Sequence, residues 1–326
     1  MNYVNLGRTG LQVSRLCLGT MSFGSSQWRP WVLDPPAGTA VIAQALDRGI
    51  NFFDTADMYS NGGSEQVLGA ALKGAVKRDA VVIATKVFYP VAGAADQGGL
   101  SRSHIMRAID DSLRRLQTDY VDLYQIHRLD PHTPIDETLE ALHDVVTAGK
   151  ARHIGASSMF AWQFARMIYR QRARGWTEFA TMQNHYNLVY REEEREMNPF
   201  CLEEGIALIP WSPLARGFLA GNRKRGQRDA TLREQHDGYG HGLYYADSDY
   251  DVADQLVAVA AHKGVLPIQL ALAWILSRPG VAAPIVSVTK EQQLEDLIAA
   301  LEISVSAQEE EALSASYRPH PVRGHD

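Results

Sequence analysis

The chain of 326 residues has only two cysteines, Cys17 and Cys201, far apart in sequence. No C-x-x-C occurs, which excludes a zinc knuckle and a dithiol motif, and such sparing use of cysteine fits a reducing cytoplasm. The N-terminal "MNYVNLGRTG" lacks a basic segment followed by an apolar run, so no secretory leader is expected. No apolar stretch approaches the ~20 residues of a membrane span, so no membrane partner is expected. Positive charge is the minority: 32 Lys and Arg against 38 Asp and Glu leave a net charge of −6. That balance argues against nucleic acid and acidic membranes as partners. Glycine-rich phosphate loops are missing too. No G-x-G-x-x-G directly follows a strand-like run, and "GYGHG" (238–242) has nothing strand-like before it. "GNRKRG" has P-loop glycine spacing, but Gln227 follows where the motif needs lysine.

What is present is alternation. "YVN" and "QVSRL" around "GRTG" read as a hairpin. Short apolar runs then precede stretches of helical period. The strand-like runs are "LCLGT" (16–20), "NFFDT" (51–55), "VVIATK" (81–86), "VDLYQIH" (121–127), "ARHIGAS" (151–157), "ATMQN" (180–184), "IALIPWS" (206–212) and "AAPIVSV" (282–288). Helices are expected near 37–48, 64–72, 101–116, 136–148, 161–173, 193–204, 252–262, 268–277 and 291–300. Eight strand–helix units without a linker predict an α/β fold: a (β/α)8 TIM barrel with an N-terminal β-hairpin and extra helices, one domain over 1–326. The stretch from Phe218 to about Tyr250 carries little apolar periodicity and reads as a long loop.

Almost every predicted strand ends in a group able to bind or react: Gly19 and Thr20, Asp54, Lys86, His127, Ser157, Gln183, Trp211 and Ser212, Thr289 and Lys290. In barrel enzymes that is the catalytic face. Asp54, Lys86 and His127 close successive strands, and strands lie ~4.8 Å apart. Tyr59, five residues beyond Asp54, has enough chain to fold back over the mouth. A free phenol, with a pKa of about 10, is a poor acid at neutral pH, but a nearby ammonium stabilises its phenolate. An aspartate can hold that ammonium, and an imidazole can hydrogen-bond a substrate oxygen. Such a set delivers a proton to an oxygen that becomes negative. Asp57 reads as a turn or cap residue in the following loop. A metal-dependent barrel hydrolase is disfavoured, because the first strand, "LCLGTMSFG", has no histidine; no metal is expected.

"GINFFDTADMYSNGGSEQVLG", "IATKV", "DYVDLYQIHR", "GKARHIGASS" and "WSPLARGFLAG" together resemble the aldo-keto reductases, and the likeness covers essentially the whole chain. The resemblance implies a catalytic tetrad of Asp54, Tyr59, Lys86 and His127. Tyr59 is then the proton donor, supported by Lys86 and Asp54, with His127 orienting the carbonyl. It implies NADPH/NADP+ extended across the barrel mouth. Gly19, Thr20, Met21 and Asp54 would lie along the cofactor. Ser157, Ser158 and Gln183 would meet the carboxamide, with Trp211 stacked on the nicotinamide. Ser212, Pro213, Leu214, Ala215 and Gly217 would wrap the pyrophosphate. Thr289, Lys290 and Gln293 would meet the 2′-phosphate, and Asp296 would lie near the adenine. The implied function is reduction of an aldehyde or ketone. The alternative is a non-catalytic cofactor-binding subunit similar to the potassium-channel β subunits. The wording is most similar to a bacterial group that includes an enzyme linked to 1-deoxyxylulose 5-phosphate.

Four positions depart from the commoner family pattern: Ser158, Ser287, Leu297 and Trp211. Arg223, Lys224 and Arg225 either screen the pyrophosphate or are simply solvated. "REEEREM" (191–197) reads as a solvated helix start. Trp28 and Phe88, with Tyr89, are expected to line a substrate pocket around Tyr59 and His127. The substrate is expected to be a small carbonyl compound, and the oligomeric state is open.

Overall fold

The computed structural model describes residues 1–91, 98–227 and 231–325. β1 (Tyr3–Asn5) and β2 (Gln12–Ser14) form the antiparallel hairpin. There follow β3 (Cys17–Gly19), α1 (Pro35–Asp47), β4 (Phe52–Asp54), α2 (Gly63–Leu72), β5 (Val82–Val87) and α3 (Arg102–Leu116). Next are β6 (Val121–Ile126), α4 (Ile135–Thr147), β7 (Ala151–Ser157), α5 (Ala161–Arg174), β8 (Phe179–Gln183), α6 (Met197–Glu203) and β9 (Ala207–Leu208). The chain ends through α7 (Leu232–His236), α8 (Gly238–Leu243), α9 (Asp247–Lys263), α10 (Pro267–Leu276), β10 (Ile285–Val286), α11 (Glu291–Ala299) and α12 (Ala307–Ser314).

The eight strands after the hairpin are parallel, in the order β10-β3-β4-β5-β6-β7-β8-β9. The run before β10 closes the ring against β9. Leu208 N–H donates to Gly280 O, and Ala282 N–H to Leu208 O, both at 2.9 Å; Ile285 N–H donates to Pro210 O at 2.9 Å. The fold is a (β/α)8 barrel. Local sequence sets its helices: Ser101 Oγ accepts His104 N–H to start α3, and Gly175, at φ 69°, ends α5. Gly69 lets α2 and α3 approach, since a Cβ there would meet Leu116 O at 2.5 Å.

Strand parity divides the core. Phe53, Ile83 and Tyr124 face the helices. Cys17, Phe52, Val82, Ala84 and Leu123 fill the barrel, together with Leu6 and Val13 from the hairpin segment, which plugs the floor. The next inward positions towards the strand ends, two residues on, are Asp54, Lys86 and Gln125. The interior is therefore apolar at the floor and polar at the mouth.

Two expectations need correction. The 218–250 stretch is not a structureless loop. It begins in a 3-10 turn (Ala215–Ala220), carries α7 and α8, and α9 starts at Asp247, well before 252. Apolar periodicity missed that start because the first turn is polar; Asp249 caps it by accepting Ala246 N–H at 3.0 Å. Residues 228–230 of this stretch, Arg228 of the basic run among them, lie outside the described residues. "REEEREM" is not simply solvated: Glu193 is buried beside His325, and Glu194 accepts from the Tyr186 hydroxyl at 2.6 Å. Asp57 does lie in the turn after β4, as expected, but it is buried there, only 1% accessible.

Candidate active site

β4 and β5 bring Asp54 and Lys86 together inside the barrel. Lys86 Nζ donates to Asp54 Oδ1 at 2.6 Å and to Thr55 O at 2.7 Å, and lies 3.4 Å from the Tyr59 hydroxyl. The other carboxylate oxygen, Oδ2, accepts from Gln125 Nε2 at 3.0 Å and Gln183 Nε2 at 2.9 Å. The acid is thus fully satisfied and cannot turn away. Burial opposes the Lys86 charge, but Asp54 and then Tyr59 more than offset it, and the ammonium's pKa is raised. Lys86 therefore stays charged beneath the phenol.

Tyr59 stands above this pair, at the start of a 3-10 turn (Tyr59–Gly62). Its ring meets His127 edge-on at 5.7 Å between centroids. Burial, then the cations Lys86 and Arg128, holds His127 well below its ordinary pKa. The imidazole is neutral near pH 7, so it can serve as a hydrogen-bonding partner but holds no spare proton. All four members of the expected tetrad meet at one point.

The pocket wall is partly as expected. Trp28 lies 6.5 Å from the Tyr59 ring. Tyr89, also expected there, meets the His127 ring at 5.0 Å, while Phe88 packs on the core cluster and on Tyr89. Alternation could not choose between these two neighbours: the chain leaves β5 after Val87, and parity no longer predicts the next side chain.

The remaining candidates line the rim from β7 to α11. Ser157 Oγ donates to Gln183 O at 2.7 Å. Ser158, at φ 27°, accepts the Trp211 indole N–H at 2.9 Å. His185 stacks on Trp211 with centroids 4.2 Å apart, so the indole plane is fixed from two directions. Left-handed backbone at Ser212, Ala215, Arg216 and Gly217 bends the following loop sharply; Pro213 and Leu214 lie within it. Ala215 and Gly217 N–H groups are used inside that turn. Gly19 pairs with Asp54 in register. Thr20 turns its hydroxyl to Ser64 at 2.7 Å, while Met21 is partly exposed beside it. At the start of α11, Gln293 Oε1 accepts the N–H groups of Thr289 and Lys290 at 2.8 and 3.2 Å, so it shapes the turn. Asp296 accepts from Gln292 at 3.0 Å. Lys290 is exposed at the helix cap, with no acidic partner among the described residues. Of the basic run, Arg223 pairs with Glu234 at 3.3 Å, and Arg225 pairs with Asp251 and Asp254.

The sequence matches the aldo/keto reductase family over residues 15–318. This chain belongs to the aldo/keto reductase family. Among similar proteins, a versiconal hemiacetal acetate reductase of Aspergillus parasiticus is 42% identical over 99% of this chain and 98% of its own length. A putative aryl-alcohol dehydrogenase of Schizosaccharomyces pombe is 40% identical, over 99% and 97%. Another from Saccharomyces cerevisiae is 37% identical over 98% of each. These reductase relatives are fungal, rather than members of the bacterial deoxyxylulose-linked group suggested by the wording of the chain.

Several site residues of this aldo/keto reductase escape sequence reasoning. Gln125 had a signal, because it lies two residues before His127 on the same strand face. His185 and the Arg216–Asp237 pair had none, since their partners come from distant segments.

Proposed function

We propose that this reductase converts a small aldehyde or ketone to its alcohol with NADPH, and that Tyr59 supplies the proton. The observation that carries the reading is the Lys86 ammonium, bonded to Asp54 and 3.4 Å from the Tyr59 hydroxyl. As the carbonyl oxygen becomes negative it takes the phenolic proton, and the Lys86 charge stabilises the phenolate left behind. His127, neutral, donates a hydrogen bond to the same oxygen and sets its position. Asp54 acts through Lys86, and Gln125 and Gln183 hold Asp54.

The residues fit a nicotinamide dinucleotide. Trp211 offers a flat ring pinned by Ser158 and His185. The left-handed loop 212–217 and the free Lys290 at the start of α11 suit phosphates. When bound, the cofactor supplies hydride. The buried thiols of Cys17 and Cys201 are free, which fits a cytoplasmic setting. The names of the similar reductase and aryl-alcohol dehydrogenases favour aromatic carbonyl substrates, which suits a wall of Trp28 and Tyr89. The likeness to the deoxyxylulose-linked group adds no substrate to this reading.

The test is oxidation of NADPH with a panel of aromatic and aliphatic aldehydes, run in parallel with NADH. Tight NADPH binding without turnover on any of them would favour the non-catalytic subunit instead.

A further inference from the structure

The loop between β3 and α1 carries Trp28, Arg29 and Trp31. The Arg29 guanidinium lies 4.4 Å from the Trp28 ring centroid and 5.7 Å from that of Trp31. It is half-buried, and among the described residues no carboxylate lies within ion-pair distance of it. The neighbouring arginines are all paired. Arg216 grips Asp237 through two hydrogen bonds, at 2.5 and 2.9 Å. Arg233 reaches the same carboxylate at 3.2 Å and lies 4.6 Å from the Trp31 ring. Arg216 and Arg233 therefore share the single Asp237 carboxylate, and Arg29 beside them has none, so the corner carries an excess of positive charge.

Burial lowers the Arg29 pKa, and the Arg216 cation lowers it further, while Asp237 and Tyr59 partly restore it. Arg233 is pulled to about 10, again by burial and then by Arg216. The field at this corner is positive, in a chain whose net charge is −6. A partly desolvated cation without a partner is costly, and an incoming anion removes that cost. A guanidinium fork also matches the oxygens of a carboxylate or phosphate. The cluster sits on the proton-donor side: Trp28, on which Arg29 stacks, lies 6.5 Å from the Tyr59 ring. The loop suited to the cofactor's pyrophosphate is a different one, after β9.

We propose that the preferred carbonyl substrate carries a carboxylate or phosphate, and that Arg29, backed by Arg233, holds this anion while Tyr59 and His127 serve the carbonyl. The proposal rests on the carbonyl-reductase reading above.

The test compares 4-formylbenzoate with its neutral methyl ester. The charged aldehyde is expected to show a kcat/KM at least about tenfold higher, as one charge-assisted contact allows. Arg29→Met is expected to bring the two within about threefold, through KM, and Arg29→Lys to retain part of the preference. Parent selectivity that Arg29→Met leaves intact, or no selectivity in the parent, overturns the proposal. Titration of NADPH into Arg29→Met separates the cofactor as the source of the anion. Weakened NADPH binding with the aldehyde preference unchanged would assign Arg29 to the pyrophosphate and overturn the proposal. Should the parent reduce neither aldehyde, the reductase reading fails, and binding of terephthalate by calorimetry decides about the anion site alone. Binding lost in Arg29→Met upholds the site; equal binding, or none in the parent, removes it.

Discussion

Lys86 and Asp54 meet at 2.6 Å with side chains only 0% and 3% accessible, an ion pair closed off from water inside the barrel mouth. Two glutamines occupy the acid's other oxygen. Asp54→Asn leaves the ammonium buried without its counter-charge. We expect a stability loss of about 3–5 kcal/mol, read from the denaturant midpoint, together with collapse of turnover. A variant that unfolds like the parent would mean that the pair is not energetically coupled.

Tyr59→Phe removes one oxygen and keeps the ring against His127 and Trp28. Carbonyl reduction should fall at least about a hundredfold, the scale of a lost general acid. NADPH affinity, measured by quenching of tryptophan fluorescence, should hold. Activity close to the parent's would assign the proton to another group.

Asp57 gives a pH-dependent expectation of opposite character. It is buried, and neither carboxylate oxygen has a hydrogen-bond partner. Burial, then the Glu65 charge, raises its pKa well above the ordinary carboxylate value, with the Arg115 charge offsetting only part. The folded protein therefore keeps this proton where the unfolded chain, titrating near 3.9, has lost it. Its contribution to stability is full below about pH 3.9 and declines as pH rises towards the folded-state pKa. Asp57→Asn removes that slope. The variant should match the parent most closely at acid pH and gain on it as pH rises to 7, in melting curves taken across that range. A constant difference would refute the protonated state.

Lys290 tests cofactor choice. Its ammonium is exposed at the cap of α11, with no partner among the described residues. A charge-assisted contact to the 2′-phosphate is worth about 1.5–3 kcal/mol. NADPH should bind at least about tenfold tighter than NADH, and Lys290→Met should erase most of the difference. An unchanged ratio in the variant would show that this lysine does not read the phosphate.

How far the sequence carried the argument depends on the range of each interaction. The eight units, the hairpin and the meeting of Asp54, Lys86 and His127 were legible because strand parity and strand order are local rules. Tyr59 was legible because it needs only a few residues of chain to return to the mouth. Which of Phe88 and Tyr89 faces His127 was not, because parity ends with the strand.

Sequence alone determined the barrel and placed Asp54, Lys86 and His127 at its mouth, since an apolar run closed by one polar residue puts that residue there whatever surrounds it. Tertiary structure alone decided the rest. It buried Asp57, whose flanking residues read as a turn, because the chain beyond β4 folds inward and the Asp57 N–H bonds Lys86 O. It placed α7 and α8 by joining Arg216 to Asp237 and Arg223 to Glu234. It also left Arg29 beside them with no ion-pair partner among the described residues. Pairing between charges brought together from separate segments depends on where the whole chain goes, and no local pattern of residues encodes it.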